Sequence, residues 1–370
     1  MSKTSRSRKA LNNTIAGFAL EFVNLICGLI LPRLILTAFG SSYNGVTSSI
    51  TQFISCISLM KAGIGGVTRA ALYKSLAEHD TQKISEIVVS TERFMRKIAL
   101  IFVGGVIVFA AIYPIWICKD FSWWFTFSLI LIIAISTFVQ YYFGLTYQML
   151  LNADQRQGIT SIVQIISVVA NTVIAAIMIR LGASIHIVKL GSAFAFALNP
   201  LLINFYTKRH YKIDKKVKPN MSHISQRWDA LGHEVANFIN TNTDVIVLTI
   251  FTNIREVSVY TVYAYVIHAI RLVVTNFVNS FGAAFGNMYA RKEYNLMHEN
   301  LGIFELIVFS ISSVVYSVTL VMFTPFALVY TQGVNDVSYD RTLFGIIITV
   351  AGFFSCFRIP YYSITTERWL

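Results

Sequence analysis

The sequence predicts an all-α polytopic membrane protein, and three observations support this class. Hydrophobic residues make up 55% of the 370 residues and charged residues only 13%, against roughly 25% charged residues in soluble globular chains. The mean hydropathy is +0.61. Apolar segments of about 20 residues, the length that crosses the hydrocarbon core of a bilayer, recur along the whole chain. Together these features exclude a soluble fold.

We predict about ten transmembrane helices from these apolar segments. Each is bounded by charged or turn-forming residues, as expected where a helix leaves the hydrocarbon. Their approximate limits are 11–36, 43–60, 96–118, 123–150, 158–181, 185–206, 231–252, 257–285, 301–324 and 342–364. Between the second and third spans, Ile84, Ile87, Val88, Met95 and Ile98 alternate with charges, which predicts a short amphipathic helix at the membrane interface.

Basic residues concentrate in one of the two alternating sets of loops. The net charge is +12, and most Lys and Arg residues lie in the N-terminal segment, in residues 61–97 and in the tract Thr207–Lys218. The positive-inside rule then places the N-terminus in the cytoplasm. The tract Thr207–Lys218 could also bind nucleic acid or anionic lipid, but a topology determinant explains it better. No nucleic-acid partner is expected.

No cofactor, metal or catalytic site is predicted. The four cysteines, Cys27, Cys56, Cys118 and Cys356, lie in or beside apolar spans without CxxC spacing or nearby His pairs. A nucleotide-binding motif of the type GxxxxGK[ST] does not occur. The longest loop on the outer side, about residues 325–341, is short and lacks a cluster of acid and base residues. We therefore expect a protein that is not an enzyme.

Polar residues form stripes on several of the predicted spans. On the seventh, Glu234, Asn237 and Asp244 share a helical face, with Asn240 beside them. A carboxylate on this face cannot contact lipid, so the face lines a bundle interior or a hydrated cavity and is a candidate functional site. On the first span, Glu21 lies on a stripe with small residues. Cavity lining and a close helix–helix seam both fit that stripe.

Three arginines and one histidine complete the candidate residues. Arg33 lies near the outer end of the first span, where its side chain can also reach the headgroups. The eighth span carries His268, Arg271 and Asn279 on one face, and Arg358 lies near the cytoplasmic end of the tenth. Arg271 within a span requires an anionic ligand, backbone carbonyls, or an ion pair with Asp244 or Glu234. His268 fits either a hydrogen-bonded core position or a proton relay.

Several short motifs in the sequence resemble motifs of one family of transporters. They are YNGVTSSITQFISC, KAGIGGVTRAALYKSLAEHD, the text at Thr243–Leu248 and VSVYTVYAYVIHAI. They resemble the bacterial polysaccharide (O-antigen-type) flippases of the multidrug/oligosaccharidyl-lipid/polysaccharide exporter superfamily, with coverage from Leu11 to about Tyr362. The resemblance implies two bundles of six helices around a central cavity that opens alternately to each side. Members generally have 12 or 14 spans, so with ten we expect the second bundle to be incomplete.

The resemblance also implies a domain organisation and a location. Residues 1–206 would form the N-terminal six-helix bundle, 207–229 a basic cytoplasmic linker, and 230–370 the C-terminal bundle with four helices. The protein would lie in the bacterial cytoplasmic (inner) membrane. Its partners would be membrane lipid and a lipid-linked oligosaccharide, with other polysaccharide-assembly membrane proteins as further candidates.

The implied function is to flip a polyprenyl pyrophosphate-linked oligosaccharide from the cytoplasmic to the outer leaflet for surface polysaccharide, such as O-antigen of lipopolysaccharide. Candidate ligands for the pyrophosphate and sugars are Arg271, Arg33, Arg358, Asn237, Asn240 and Asn279. Candidates for charge balance or for proton or sodium coupling are Asp244, Glu21, Glu234 and His268. The alternatives are a multidrug or cation antiporter of the same superfamily and, with less support, a membrane polysaccharide polymerase or ligase.

Overall fold

A computed structural model describes residues 3–61, 63–116, 120–220, 227–290 and 293–359, except for the side chains of some helical residues. Within these ranges the chain is helical and contains no strands. The helices are α1 (Lys3–Phe39), α2 (Ser41–Ile57), α3 (Ile64–Ala77), α4 (Thr81–Trp116), α5 (Trp123–Val139), α6 (Leu145–Ala153), α7 (Gln157–Arg180), α8 (Ile185–His210), α9 (Arg227–Phe251), α10 (Ile254–Ala290), α11 (Tyr294–Tyr330) and α12 (Thr342–Phe357).

The all-α membrane class predicted from the sequence is confirmed. Seven helices within the described part of the chain are long and apolar enough to cross a membrane, and an eighth span results if α2 and α3, bent by 42°, are counted as one. Two shorter apolar helices, Asn242–Phe251 and Thr342–Phe357, coincide with the seventh and tenth predicted spans. The chain is therefore a multi-pass membrane protein.

The chain divides into two compact units, residues 1–257 and 258–370. In the first unit, α1 packs along α7, α7 packs on α8, and α5 packs on both α8 and α4. Val46, Phe102, Leu129, Ile130 and Tyr141 are buried where α2, α4, α5 and the turn after α5 meet. In this unit the spans are held together by apolar side chains that alternate with small or polar ones.

In the second unit, α11 packs on α12, and α10 is anchored to them by Tyr263. The hydroxyl of Tyr263 donates to the backbone carbonyl of Tyr339 at 2.7 Å. Its ring packs against Phe323 and Phe344, with centroids 4.9 and 5.3 Å away. Tyr263 is fully buried, so one side chain fixes α10 against the loop that precedes α12.

The basic segment predicted as a linker is docked along α4. The backbone N–H of Asp214 donates to Ser85 Oγ at 3.1 Å, and that of Asn220 donates to Ser90 Oγ at 2.8 Å. The two units divide after Val257, later than the predicted boundary at 207–229, because α9 packs on α2 and α3. The division into bundles at 1–206 and 230–370 stays a prediction.

The docked segment begins at a polar cluster next to the loop between α6 and α7. The Tyr211 hydroxyl donates to Asp154 Oδ2 at 2.5 Å, and Arg156 Nε lies 2.9 Å from the same oxygen. Arg156 Nη1 also donates to the Tyr206 hydroxyl at 3.1 Å. Burial, and then the hydrogen bond to Asp154, raise the pKa of Tyr211 above its ordinary value. The tyrosine therefore stays neutral and serves as a hydrogen-bond donor.

The separate amphipathic helix predicted between the second and third spans is wrong. Its apolar residues, including Ile87, Val88 and Met95, are buried as the periodicity predicted. However, they belong to α4, which runs without a break from Thr81 to Trp116. The backbone N–H of Lys83 donates to Asp80 Oδ1 at 3.0 Å and so caps the first turn. The charged stretch is thus the first part of a spanning helix.

We expect Gly144→Ala to destabilise the first unit. Gly144 ends the π-helical turn Gln140–Gly144, and a Cβ there would lie 2.2 Å from Pro200 Cβ on α8. Overpacking of this kind costs about 1–3 kcal/mol. The measurement is the thermal unfolding midpoint of the detergent-solubilised protein. Gly104→Ala is the matched control, because a Cβ on Gly104 would meet no atom within 4 Å. Equal midpoints for the two variants would contradict the close contact.

Candidate functional site

α2 meets α9 and the first turn of α10 along a contact that we call the α2–α9 seam. On α2, Ser42, Gly45, Ser49 and Gln52 contribute to it, and their spacing of three or four residues places them on one helical face. Their partners are Arg255, Ile254, Thr249 and Asn242, in the order of the α2 residues. The seam therefore runs from the α9–α10 turn towards the middle of α9.

A glycine sets the distance across the seam. A Cβ on Gly45 would lie 1.9 Å from the carbonyl oxygen of Ile254 and 2.8 Å from its Cγ2. Any other residue at position 45 would therefore force the two backbones apart. Small residues at helix interfaces in membranes permit such close approach. Gly45 lies in the motif YNGVTSSITQFISC, but the sequence alone does not indicate what this glycine contacts.

Within the seam, hydroxyl groups form hydrogen bonds with hydroxyl groups, and amide groups with amide groups. Ser49 Oγ accepts hydrogen bonds from the Tyr113 hydroxyl at 2.7 Å and from Thr249 Oγ1 at 2.9 Å. Gln52 Nε2 donates to Asn242 Oδ1 at 2.8 Å. Ser49, Thr249 and Tyr113 are almost fully buried. Sequence reasoning missed these residues as a group, because a helical wheel orders the residues of one helix but does not identify the neighbouring helix.

Further towards the N-terminus of α9, the predicted polar stripe is partly accessible. The side chains of Asn240 and Asp244 are exposed. An ionised carboxylate in an apolar helix is too costly to place against lipid, so we expect Asp244 to face water. The side chains of Glu234 and Asn237 lie outside the described residues. Their proposed place on the same face stays a prediction.

α1 carries two of the predicted charged residues. Glu21 and Arg33 are both half-buried, and the 12 positions between them correspond to about 18 Å along the helix. Among the described residues, Glu21 makes no ion pair. A half-buried carboxylate of this kind is a candidate to bind a cation.

In the second unit, Arg271 on α10 is half-buried. It lies near enough to Tyr316 and Cys356 to interact electrostatically with both, and the Tyr316 hydroxyl is 3.2 Å from Cys356 Sγ. Within the described part of this unit, Arg271 makes no ion pair. No sequence pattern points to Tyr316, because it lies in a nearly uniform apolar span.

The remaining predicted site residues are more dispersed. His268, one turn before Arg271, is exposed, and Arg358 is exposed at the C-terminal end of α12. The side chain of Asn279 lies outside the described residues. The predicted pairing of Arg271 with Asp244 or Glu234 stays a prediction. Within the ranges that the structure describes, no group of three His, Cys, Asp or Glu side chains could hold a metal ion.

Comparisons with known proteins identify the fold. No protein-family model matches the sequence, and no curated protein matches it. Among solved structures, an inward-facing multidrug resistance MATE transporter of the MOP superfamily is similar, with a TM-score of 0.70, 12% identity, and coverage of 96% of this chain and 86% of that one. The lipid II flippase MurJ in an inward closed conformation has a TM-score of 0.67 and 16% identity, and the coverage is 95% of this chain and 76% of that one.

A third similar structure is a MOP superfamily transporter from Pyrococcus furiosus, described as having a binding pocket of reverse polarity that suggests a different function. Its TM-score is 0.65 at 10% identity, and the alignment covers 97% of this chain and 83% of that one. At these identities the likeness concerns the fold. The chain has the fold of these transporters, which by their descriptions are a multidrug transporter, a lipid II flippase and a transporter of suggested different function.

We expect a disulfide to form across the seam when Ser49 and Thr249 are both replaced by cysteine in a variant whose native cysteines are replaced by serine. The two hydroxyl oxygens are 2.9 Å apart, so two thiols can approach the bonding distance of about 2.05 Å. Crosslinking by a mild oxidant in membranes is measured as a shift in gel mobility after cleavage of the chain between α8 and α9. Thr51→Cys with Thr249→Cys is the control, because Thr51 is exposed on another face of α2. Equal crosslinking of both pairs would contradict the seam.

Proposed function

We propose that this protein is an alternating-access transporter that flips a lipid-linked oligosaccharide, carried on polyprenyl pyrophosphate, from the cytoplasmic to the outer leaflet for surface polysaccharide synthesis. The observation that carries the proposal is the environment of Arg271. This cation is half-buried in a spanning helix, within electrostatic range of Tyr316 and Cys356, and makes no ion pair within the described second unit. An anionic group of a substrate would supply the missing counter-charge.

The chemistry of arginine fits a pyrophosphate. The guanidinium group is planar, stays charged, and donates two parallel hydrogen bonds to phosphate oxygens. Arg33 and Arg358 are proposed as further phosphate contacts, and Asn240, Asn237 and Asn279 as contacts for sugar hydroxyls. The fold is compatible with such a substrate, since one similar structure is a lipid II flippase by name.

The α2–α9 seam provides a gate for the proposed cycle. By the positive-inside rule, the α9–α10 turn at one end of the seam lies on the outer side. We propose that the seam closes the outer exit and separates when substrate leaves. A disulfide between cysteines at 49 and 249 should then stop transport, and reduction should restore it. Continued transport with the disulfide intact would show that the seam is a static contact.

A second candidate function is that of a multidrug or cation antiporter of the MOP type, which would export cationic drugs or other cations. Two observations favour it: Asp244 is an exposed carboxylate in α9, and Glu21 is half-buried without an ion pair among the described residues. The fold supports both candidates equally, because similar structures include multidrug transporters. In the flippase, these carboxylates, with Glu234 and His268, would balance charge or couple transport to protons or sodium.

Replacement of Arg271 tests the proposed flippase function. Arg271→Gln should reduce surface polysaccharide about 10-fold or more, because a charge-assisted hydrogen bond contributes about 1.5–3 kcal/mol. Arg271→Lys should retain part of the activity. The measurement is surface polysaccharide in a bacterium that depends on this protein, normalised to the amount of folded protein in the membrane. Arg180→Gln is the control, since Arg180 is exposed at the end of α7. Unchanged export by Arg271→Gln would refute the assignment of Arg271.

Replacement of Asp244 separates the two candidates. In the flippase, Asp244→Asn should slow polysaccharide export while the protein remains folded, because charge balance or ion coupling is impaired. In a cation antiporter, the same variant should abolish efflux of a fluorescent cation such as ethidium, and polysaccharide export should not depend on the protein. Efflux of ethidium by the unmodified protein, without any effect on polysaccharide, would reject the flippase. Full activity of Asp244→Asn in both assays would exclude a role for Asp244.

A further inference from the structure

A pocket of about 410 Å³ opens between the first half of α4 and the segment that follows α8. We call it the basic pocket. Its charged residues are four cations and a single carboxylate, so the formal charge is +3 (four minus one). They are Arg93, Arg96, Lys97, Lys215 and Glu92. The excess of positive charge makes the pocket suited to an anion.

The single carboxylate is already engaged by two of the cations. Glu92 Oε1 lies 2.5 Å from Arg96 Nη2 and 3.5 Å from Lys215 Nζ, and only 13% of the Glu92 side chain is exposed. Among the described residues, Arg93 and Lys97 make no ion pair. They are four positions apart on α4 and therefore lie on the same side of the helix. Two cations remain available to a ligand.

Two of the four cations, Arg96 and Lys215, are held in place before any ligand binds. The guanidinium of Arg96 stacks over the ring of Tyr142, 5.1 Å from its centroid, while its Nη2 contacts Glu92. Lys215 comes from the docked segment 211–220, which Ser85 and Ser90 hold on α4. Charges that serve only to orient a helix in the membrane do not need such support from a distant segment. The fixed positions lower the entropic cost of binding.

The pocket lies at the boundary between charged and apolar surface on α4. Leu100 forms part of its lining and is 64% exposed, and the next residue, Ile101, is 57% exposed. Exposed apolar residues then continue along the helix at Ile107 and Ile112. Such a surface faces the lipid hydrocarbon, so the cations one turn earlier lie at the depth of the phosphate groups. A ligand in the pocket can therefore contact cations and acyl chains together.

We propose that the basic pocket binds the phosphate headgroup of an anionic phospholipid from the leaflet on this side of the membrane. Arg93 and Lys97 contact the phosphate, Arg96 and Lys215 add to the positive potential, and Leu100 packs against the glycerol and the first part of an acyl chain. Basic pockets between helices at this depth suit anionic headgroups. Because Lys215 belongs to the docked segment, a bound lipid also links that segment to α4.

Lipid binding by the purified full-length protein tests the proposal. Native mass spectrometry would compare dioleoyl phosphatidylglycerol with dioleoyl phosphatidylcholine, which have the same acyl chains. The unmodified protein should retain phosphatidylglycerol preferentially. The double variant Arg93→Gln/Lys97→Gln should weaken its binding about 30-fold, since each basic residue near a membrane surface contributes about a 5-fold factor. The charge-conserving variant Arg93→Lys/Lys97→Arg should still bind.

The matched control is Lys208→Gln/Arg209→Gln, which removes the same charge from exposed residues at the end of α8 outside the pocket. This control should keep the preference for phosphatidylglycerol. Equal losses in both double variants would overturn the proposal and show a general attraction to the basic surface. Displacement of the lipid by low millimolar glycerol 3-phosphate would show a site for soluble phosphate instead. Thermal unfolding of each variant separates lost binding from lost folding, and none of the readouts depends on transport.

Discussion

The absence of a side chain at Gly45 is the constraint on which the arrangement of α2 and α9 depends. A Cβ would lie 1.9 Å from the carbonyl oxygen of Ile254, so only glycine allows the two backbones to approach. That approach places Ser49 within hydrogen-bonding distance of Thr249, and Gln52 within reach of Asn242. Hydrocarbon offers no water to polar groups. The seam can therefore be polar only because the polar groups of α2 and α9 form hydrogen bonds with one another.

Such a contact suits a gate better than an apolar interface would. Interhelical hydrogen bonds in membranes contribute on average about 0.6 kcal/mol each, because the separated groups also find other partners. When the seam separates and water enters, Ser49 and Thr249 exchange one set of hydrogen bonds for another. If the seam is the proposed gate, this exchange keeps the free energy of opening low, so that substrate binding can shift the equilibrium. An interface of large apolar side chains would expose them to water and resist opening.

The elements of the fold could be predicted largely from the sequence because they depend on local patterns. The period of Ile87, Val88 and Met95 identified the buried face of α4 correctly. The predicted break before the span was wrong because the stretch from Thr81 to Lys97 contains no Gly or Pro to end a helix. Charge and hydropathy change along this helix, but the backbone conformation does not.

The candidate site was less predictable because it depends on contacts between distant segments. A helical wheel placed Asn240 and Asp244 close together on α9, and both are exposed. It could not reveal that Asn242, two residues from each, pairs with Gln52 across the seam. Nor could it show that Tyr316 lies within electrostatic range of Arg271. These pairings depend on how far two helices are shifted along each other and on the rotation of each helix about its axis. The sequence of one helix alone does not determine either quantity.

A single helix joins the two regions of the first unit for which a function is proposed, the basic pocket and the seam. Arg96 contributes to the basic pocket and Tyr113 to the seam, and the 17 positions between them correspond to about 25 Å along α4. This length is close to the thickness of the hydrocarbon core, about 30 Å. The pocket and the seam therefore lie near opposite membrane boundaries, on one continuous element. The docked segment 211–220 leads on through the chain to α9, which forms the other side of the seam. If α9 moves when the seam opens and draws Lys215 away from α4, a lipid in the basic pocket will favour the closed seam, because the pocket then loses one of its four cations and binds the lipid less tightly.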